Sequence, residues 1–283
     1  MALITEFDVI FLSYDEPNCE KHYAQLLDIC PWAKRVHGVK GFDSAHRACA
    51  EVSDTEWFIT VDGDNTVRPD FFDVQVNIDN RIGCISWRGL NAINGLAYGN
   101  GGLKLWAKSF VERMNTHEHA DDPRKTVDFC WEDNYRQMPQ IFSDVWNNGS
   151  AYQAFRVGFR EGVKLSLNRG ERLKAEMMRH VLHPQNLRNL RVWACVGAHV
   201  EHGLWAMYGA RLAWMRMCDL AWDHTVVRDY DWFAGLWTEV QDCKVQMECA
   251  TLGETIAAQT KIGMPWLPAE QSEFFRYVTT NVG

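Results

Sequence analysis

Two apolar runs and a short strand-like segment between them, separated by two helical stretches, fill the first 65 residues, and this alternation limits the possible folds more than any other feature of the chain. Residues 8–14 form a continuous apolar run that ends at Asp15-Glu16-Pro17-Asn18, as a strand buried on both faces does. Residues 19–29 carry helical spacing, and Pro31 stops that helix. Lys34 to Val39 make a short second strand, Ser44 caps a helix running to about Val52, and residues 57–61 (Trp-Phe-Ile-Thr-Val) make a third strand. Strand, helix, strand, helix, strand predicts an α/β domain with a doubly wound, mostly parallel sheet. Farther on, residues 81–88 read as a strand, Leu103 to Met114 as a helix, and Val127 to Trp131 as a strand. Residues 150–180 read as mainly helical and 204–222 as a mostly buried helix; Pro184 interrupts between them, and Val192 to Val196 fit either a short strand or a helix start. The expected organisation is one domain over 1–215 with a helical C-terminal extension, 216–283, packed on it.

With 283 residues, 47% of them hydrophobic, the chain can bury a sizeable core. It has no apolar run of 18 residues, so no transmembrane helix is expected. The segment from Met1 to Phe11 carries Glu6 and Asp8 and no basic stretch, and reads as a first strand rather than a signal peptide. Nine scattered cysteines with no CxxC pair fit a reduced, cytoplasmic setting better than a disulfide framework or a zinc site. The net charge of −8 is unevenly spread. Residues 156–191 hold nine Lys/Arg against three Glu, a local +6 that suits a polyanionic partner or a solvated helical face. Thirteen tryptophans exceed what a core of this size needs, and exposed ones would suit stacking on sugars or bases.

The sharpest chemical signal is Asp62-Gly63-Asp64 directly after an apolar strand. In open α/β sheets, ligands sit beyond the carboxyl ends of the strands. Two carboxylates there, separated by glycine, can hold Mg²⁺ or Mn²⁺ whose remaining ligands are phosphate oxygens. Such an ion would stabilise a diphosphate leaving group. An ordinary Asp-Gly turn is the plain alternative. At the same sheet edge, Ser13, Tyr14 and Asp15 end the first strand, where a tyrosine can stack on a nucleobase and an acid can accept from base or ribose.

Strand–Ser-Tyr-Asp, a helix, and Trp-Phe-Ile-Thr-Val-Asp-Gly-Asp-Asn together resemble the front half of GT-A nucleotide-sugar glycosyltransferases. Tyr98-Gly99-Asn100-Gly101-Gly102-Leu103-Lys104-Leu105 and the segment from Phe155 to Leu165 resemble tailed-phage DNA-modifying members of that class. The likeness covers about residues 7–215 and is densest at 57–65, 94–106 and 155–165. It implies a metal-dependent transferase with a UDP-linked sugar donor and Mn²⁺ or Mg²⁺. Gly101 and Gly102 would let backbone approach the ligand, and Lys104 would lie near the diphosphate or be simply solvated at a helix start. Glu132 and Asp133, with Asp128 in reserve, resemble the acidic position near the acceptor that takes the hydroxyl proton. His199 or His202 would complete the metal shell, with His224 a weaker third choice.

The acceptor this implies is a hydroxyl, with 5-hydroxymethylcytosine in phage DNA favoured by the basic stripe, where Arg169, Arg172, Lys174 and Arg179 would contact phosphates. The setting would then be the host cytoplasm. The competing readings are a protein or glycan acceptor, a non-catalytic module that binds nucleotide sugar or nucleic acid, and a nucleotidyltransferase or nuclease, which would want further carboxylates converging on two metals.

Overall fold

The structure, a computed structural model, describes residues 1–79, 81–99, 101–127 and 134–281. The strands are β1 (Ala2–Leu3), β2 (Asp8–Ser13), β3 (Lys34–His37), β4 (Trp57–Asp62), β5 (Asn65–Val67), β6 (Gln75–Val76), β7 (Cys84–Asn91), β8 (Leu103–Ala107) and β9 (Tyr135–Val145). The helices are α1 (Cys19–Ile29), α2 (Phe42–Val52), α3 (Lys108–Val111), α4 (Ala151–Ser166), α5 (Ala175–Val181), α6 (Pro184–Cys195), α7 (Gly203–Cys218), α8 (Tyr230–Val240), α9 (Val245–Thr260) and α10 (Ala269–Asn281).

Seven strands form one sheet in the order β3-β2-β4-β8-β7-β9-β5, and β1 pairs with β6 apart from it. β2, β3, β4, β7 and β9 run one way; β8 and β5 run the other. The α/β class, a mostly parallel sheet and a helical C-terminal part are thus as the sequence predicts. β2 and β4 lie side by side because both are apolar on both faces: Val9, Ile10, Phe11, Phe58, Ile59 and Val61 are all buried. Their parallel register brings Leu12 opposite Asp62, so the loop after β2 and the acidic turn after β4 share one edge.

Four local expectations change. Residues 103–107 are a strand, not the start of a helix. Every residue of β8 is buried between β4 and β7, so the run has no alternation to distinguish it from a buried helix. Ser44 is not a cap: α2 starts at Phe42 and its N-cap is Gly41, at φ 96°. β9 has no counterpart in the sequence reading, because it is mostly half-buried, with Ser143 its one buried residue, and contains Pro139. The register against β7 jumps there, Trp87 facing Met138 and Arg88 facing Ile141, and Pro139 occupies the resulting bulge. Val192 to Cys195 end helix α6, which Pro184 opens from its first position. Of the strand expected at 127–131, all but Val127 lies outside the described residues.

The C-terminal half buries its own apolar clusters, built mainly from α4, α6, α7, α8 and α9. α7 runs through position 215, where the sequence reading divides the chain, and packs on α4 to one side and α9 to the other. Among the described residues no helix is long and apolar enough to cross a membrane, and the cysteines are free thiols.

Candidate functional site

Asp62 is the last residue of β4, and Gly63 and Asp64 make the turn into β5. The turn is fixed from three sides. The Asp62 N–H donates to the Gly102 carbonyl (2.9 Å), the Trp146 N–H donates to the Asp64 carbonyl (2.7 Å), and Asn65 Nδ2 donates to Asp64 Oδ1 (2.8 Å). Gly102, at φ 77°, has no room for a side chain: a Cβ would lie 2.3 Å from Asn65 Nδ2 and 2.9 Å from Asp62 Oδ2. A Cβ on Gly101 would lie 2.1 Å from the Gly89 nitrogen. The glycine pair therefore brings β8 against the acidic turn and β7. Lys104, one strand over from Asp62, is buried and places Nζ 3.3 Å from Asp62 Oδ2. It sits inside β8 as a buried ion-pair partner and is not solvated at a helix start.

The electrostatics of the turn favour a cation. Burial and the neighbouring charges of Asp62 and Glu16 push the Asp64 carboxyl from near 3.8 up to about 7. Glu16 is raised as well, mainly by burial, with Asp62 and Asp15 adding repulsion. Its carboxylate accepts from the Tyr14 N–H (2.8 Å) and lies so close to Gly63 that a Cβ there would be 2.6 Å away. Among the described residues, the oxygens of Glu16, Asp62 and Asp64 do not all come within 4.8 Å of one another. The chain thus offers two carboxylates from a tight turn rather than a closed cage. That fits Mg²⁺ or Mn²⁺, which take one or two carboxylates and complete their shell with phosphate and water.

These charges make the site pH-dependent. Because the folded pKa of Asp64 lies above its ordinary value, the metal-free fold takes up a proton there between pH 4 and 7. The associated stability is present below about pH 4 and is lost as pH rises through about 7. A bound cation requires the ionised form, so its affinity falls as pH drops below about 7. The expected result is that Mn²⁺ raises the melting temperature more at pH 7.5 than at pH 5.5, with the difference gone in Asp64→Asn; thermal melts with and without the ion measure it.

Asp62 and Lys104 form one wall of a cavity of about 210 Å³. Phe42 and Glu118 form another, α4 contributes Arg160, Glu161 and Lys164, and Arg228 and Tyr230 also line it. Arg160 and Lys164 stand one helical turn apart, which places both on one face of α4. Lys164 Nζ donates to Glu161 Oε1 (3.2 Å), and Glu161 also accepts from the Tyr98 hydroxyl. The half-buried Arg160 guanidinium makes no hydrogen bond or ion pair among the described residues. Asp62, at the edge of the acidic turn, on one side and a helix-borne arginine and lysine on the other suit a metal-bound diphosphate held between them.

Several expected site residues lie elsewhere or in other roles. Ser13 Oγ is buried and committed to Arg35 Nε (3.1 Å) and His37 Nδ1 (2.9 Å). Tyr14 and Asp15 are exposed at the same sheet edge as Asp62. His199 and His202 do not line the cavity: His199 Nε2 is 2.5 Å from Glu273 Oε1, and His202 is the left-handed N-cap of α7. His224 is buried outside the cavity. Asp128, Glu132 and Asp133 lie outside the described residues. Arg172 is a structural residue, its guanidinium donating to the carbonyls of Arg216, Met217, Asp219, Leu220 and Trp222 at the end of α7. Arg169, Lys174 and Arg179 are exposed. The sequence reading omits Glu16, Glu118 and Lys164; only Lys164 leaves a sequence signal, its i, i+4 spacing from Arg160.

One group of described residues brings three potential ligand atoms within 4.8 Å: Asp43, Glu118 and His119. Asp43 already accepts from Thr116 Oγ1 (2.6 Å) and the Thr116 N–H (3.2 Å), and the Glu118 carboxylate accepts from the Asp43 N–H (3.1 Å). These bonds fasten the 116–119 segment to the start of α2, where the Glu118 carboxylate satisfies the open Asp43 N–H.

No known family's sequence profile matches the chain. No curated protein matches it by sequence. Solved structures with similarity include a glycosyltransferase involved in glycosylating the major capsid of PBCV-1 (16% identity, TM-score 0.33, covering 47% of this chain and 82% of that one). Another is the mannosyltransferase PcManGT from Pyrobaculum calidifontis in complex with GDP-Man and Mn²⁺ (10% identity, TM-score 0.36, covering 97% and 87%). A third, from Bacillus anthracis, is described as a glucose-1-phosphate thymidylyltransferase in complex with a sucrose (8% identity, TM-score 0.31, covering 47% and 86%). At these scores the overlap carries no argument about activity, which rests on the site itself.

Proposed function

We propose that the chain is a metal-dependent glycosyltransferase that binds a nucleotide sugar in the cavity between Asp62 and α4. The carrying observation is the surplus of negative charge at Asp62-Gly63-Asp64, seen as the raised Asp64 carboxyl. Across the same cavity stands the guanidinium of Arg160, unpaired among the described residues. When bound, Mn²⁺ or Mg²⁺ would supply Lewis acidity toward the diphosphate. Asp62 and Asp64 would hold it, Lys104 would fix the Asp62 carboxylate, and Arg160 would take the phosphate oxygens on the far side. Tyr14 and Asp15, exposed at the same sheet edge, would meet the nucleoside. Glu132 or Asp133, with Asp128 in reserve, is the proposed base for the acceptor hydroxyl. The test is donor hydrolysis: UDP- and GDP-sugars incubated without acceptor should release nucleoside diphosphate with Mn²⁺ and stop in excess chelator. Release of pyrophosphate from a sugar phosphate and a nucleoside triphosphate would instead identify a nucleotidyltransferase.

For the acceptor, we propose the hydroxyl of 5-hydroxymethylcytosine in DNA, supported by the +6 over residues 156–191. Within that stretch Arg172 is committed internally, Arg160 and Lys164 face the cavity and Arg156 stacks on Tyr230, so Arg169, Lys174 and Arg179 are exposed for phosphate, together with Arg188 and Arg191. Binding to hydroxymethylated duplex should weaken steeply with salt, and Arg179→Gln should shallow the slope of log K against log salt by about one. Equal affinity at low and high salt, measured by fluorescence anisotropy, would point to a protein or glycan acceptor.

A further inference from the structure

A second cavity of about 570 Å³ lies on the other side of the acidic turn, between α1, β5 and the loop joining β9 to α4. We propose that it binds a neutral carbohydrate. The volume is within the range of small-ligand sites. Trp146 supplies an aromatic wall. It is 41% exposed, and its orientation is fixed by a hydrogen bond from Nε1 to Thr66 Oγ1 (3.0 Å). An indole held this way offers a flat apolar surface to the C–H face of a sugar ring.

Two buried side chains supply fixed hydrogen-bond acceptors. His22 is 3% exposed and lines the cavity. Its Nδ1 lies 3.0 Å from the Gly63 carbonyl, which can only accept, so Nδ1 carries the proton. Burial also pushes the ring below its ordinary pKa, so at neutral pH Nε2 bears a lone pair, and it has no partner among the described residues. Asn148 is 7% exposed. Its Nδ2 donates to the Glu201 carbonyl (3.0 Å), which leaves Oδ1 without a donor among the described residues. Hydroxyl groups are the donors that satisfy two such acceptors beside an aromatic wall, and the exposed amide of Gln25 adds a group that can donate and accept. The charged lining residues are Lys21 against Asp28 and Glu201, an acidic balance that disfavours phosphates. The cavity also touches the acidic turn directly, through His22 to the Gly63 carbonyl and the Trp146 N–H to the Asp64 carbonyl.

Saturation-transfer NMR with maltotriose, cellotriose and mannotriose tests this on the full chain without donor or metal. At least one trisaccharide should receive saturation, and its affinity should fall at least about tenfold in Trp146→Ala, the loss expected for one aromatic stack. Gln25→Ala, at an exposed position, should weaken it too and serves if Trp146→Ala does not fold. Three results would overturn the proposal: no transfer to any of the trisaccharides, equal affinity in the folded variants, or displacement of the sugar by tripolyphosphate or uridine.

Discussion

Asp64→Asn should remove donor turnover while making the metal-free protein more stable. The two effects share a cause. The Asp64 carboxyl is raised to about 7 because burial and the charges of Asp62 and Glu16 oppose its ionisation, so above that pH the fold carries an unfavourable charge. An amide of the same shape removes the charge and can still face Asn65, so the melting temperature above pH 7 should rise by a few degrees. Turnover should fall by about 10³, since a lost cation removes several kcal/mol of stabilisation from the leaving diphosphate. Asp62→Ala should be equally inactive with the opposite stability change. The Lys104 ammonium is buried, with a side chain only 3% exposed, and Asp62 is its ion-pair partner at 3.3 Å. Removing that partner leaves a buried charge unpaired, at a cost of about 1–3 kcal/mol, because Asp62 itself is partly exposed. Melts at pH 8 in chelator, beside nucleotide release with Mn²⁺, separate the pair. A shift of both melts in one direction would refute this account of the turn.

The acidic turn and its sheet edge were legible in the sequence because buried parallel strands are read from continuous apolar runs. β2 and β4 are such runs, and the residues directly after them must lie at the sheet's carboxyl edge. β8 is equally apolar but comes after a glycine stretch and precedes a real helical turn, so its run was ambiguous. β9 was illegible for the opposite reason: only Ser143 of it is buried, it carries a proline, and it is defined by pairing with β7. The cavity's far wall shows the limit more sharply. Arg160 and Lys164 sit in a basic stretch that reads as one electrostatic face. Tertiary packing divides that face into two cavity-lining residues, a helix-end clamp at Arg172 and a few exposed charges. Linear charge density cannot tell these apart, since each depends on what packs opposite. His199 and His202 show the same limit. Sequence proximity to a glycine suggests a loop, but not which loop, and α10 brings Glu273 to His199.

Gly158→Leu should yield no folded protein, because α4 and α7 meet backbone to backbone. A Cβ on Gly158 would lie 1.9 Å from the Ala206 carbonyl oxygen, and one on Gly209 would lie 2.2 Å from that of Phe155. Gly162, one turn farther along α4, has 2.7 Å to the Ala210 oxygen. The obstacle in each case is helix backbone, which cannot swing aside as a side-chain end can, so the helices must separate. Separation unpacks the fully buried Phe155 and Phe159 and lifts the face of α4 that carries Arg160 and Lys164 away from Asp62. Even Gly158→Ala should cost about 3 kcal/mol, at the upper end of overpacking penalties, against a total stability of about 5–15 kcal/mol. Gly235, inside α8, is the matched control: a Cβ there meets nothing within 4 Å. Gly235→Ala should therefore stabilise by about 0.5–1 kcal/mol through helix propensity alone. Urea unfolding of the two alanine variants decides the matter. Equal midpoints would mean that α4 and α7 are not in backbone contact, and the placement of Arg160 opposite the acidic turn would fall with it.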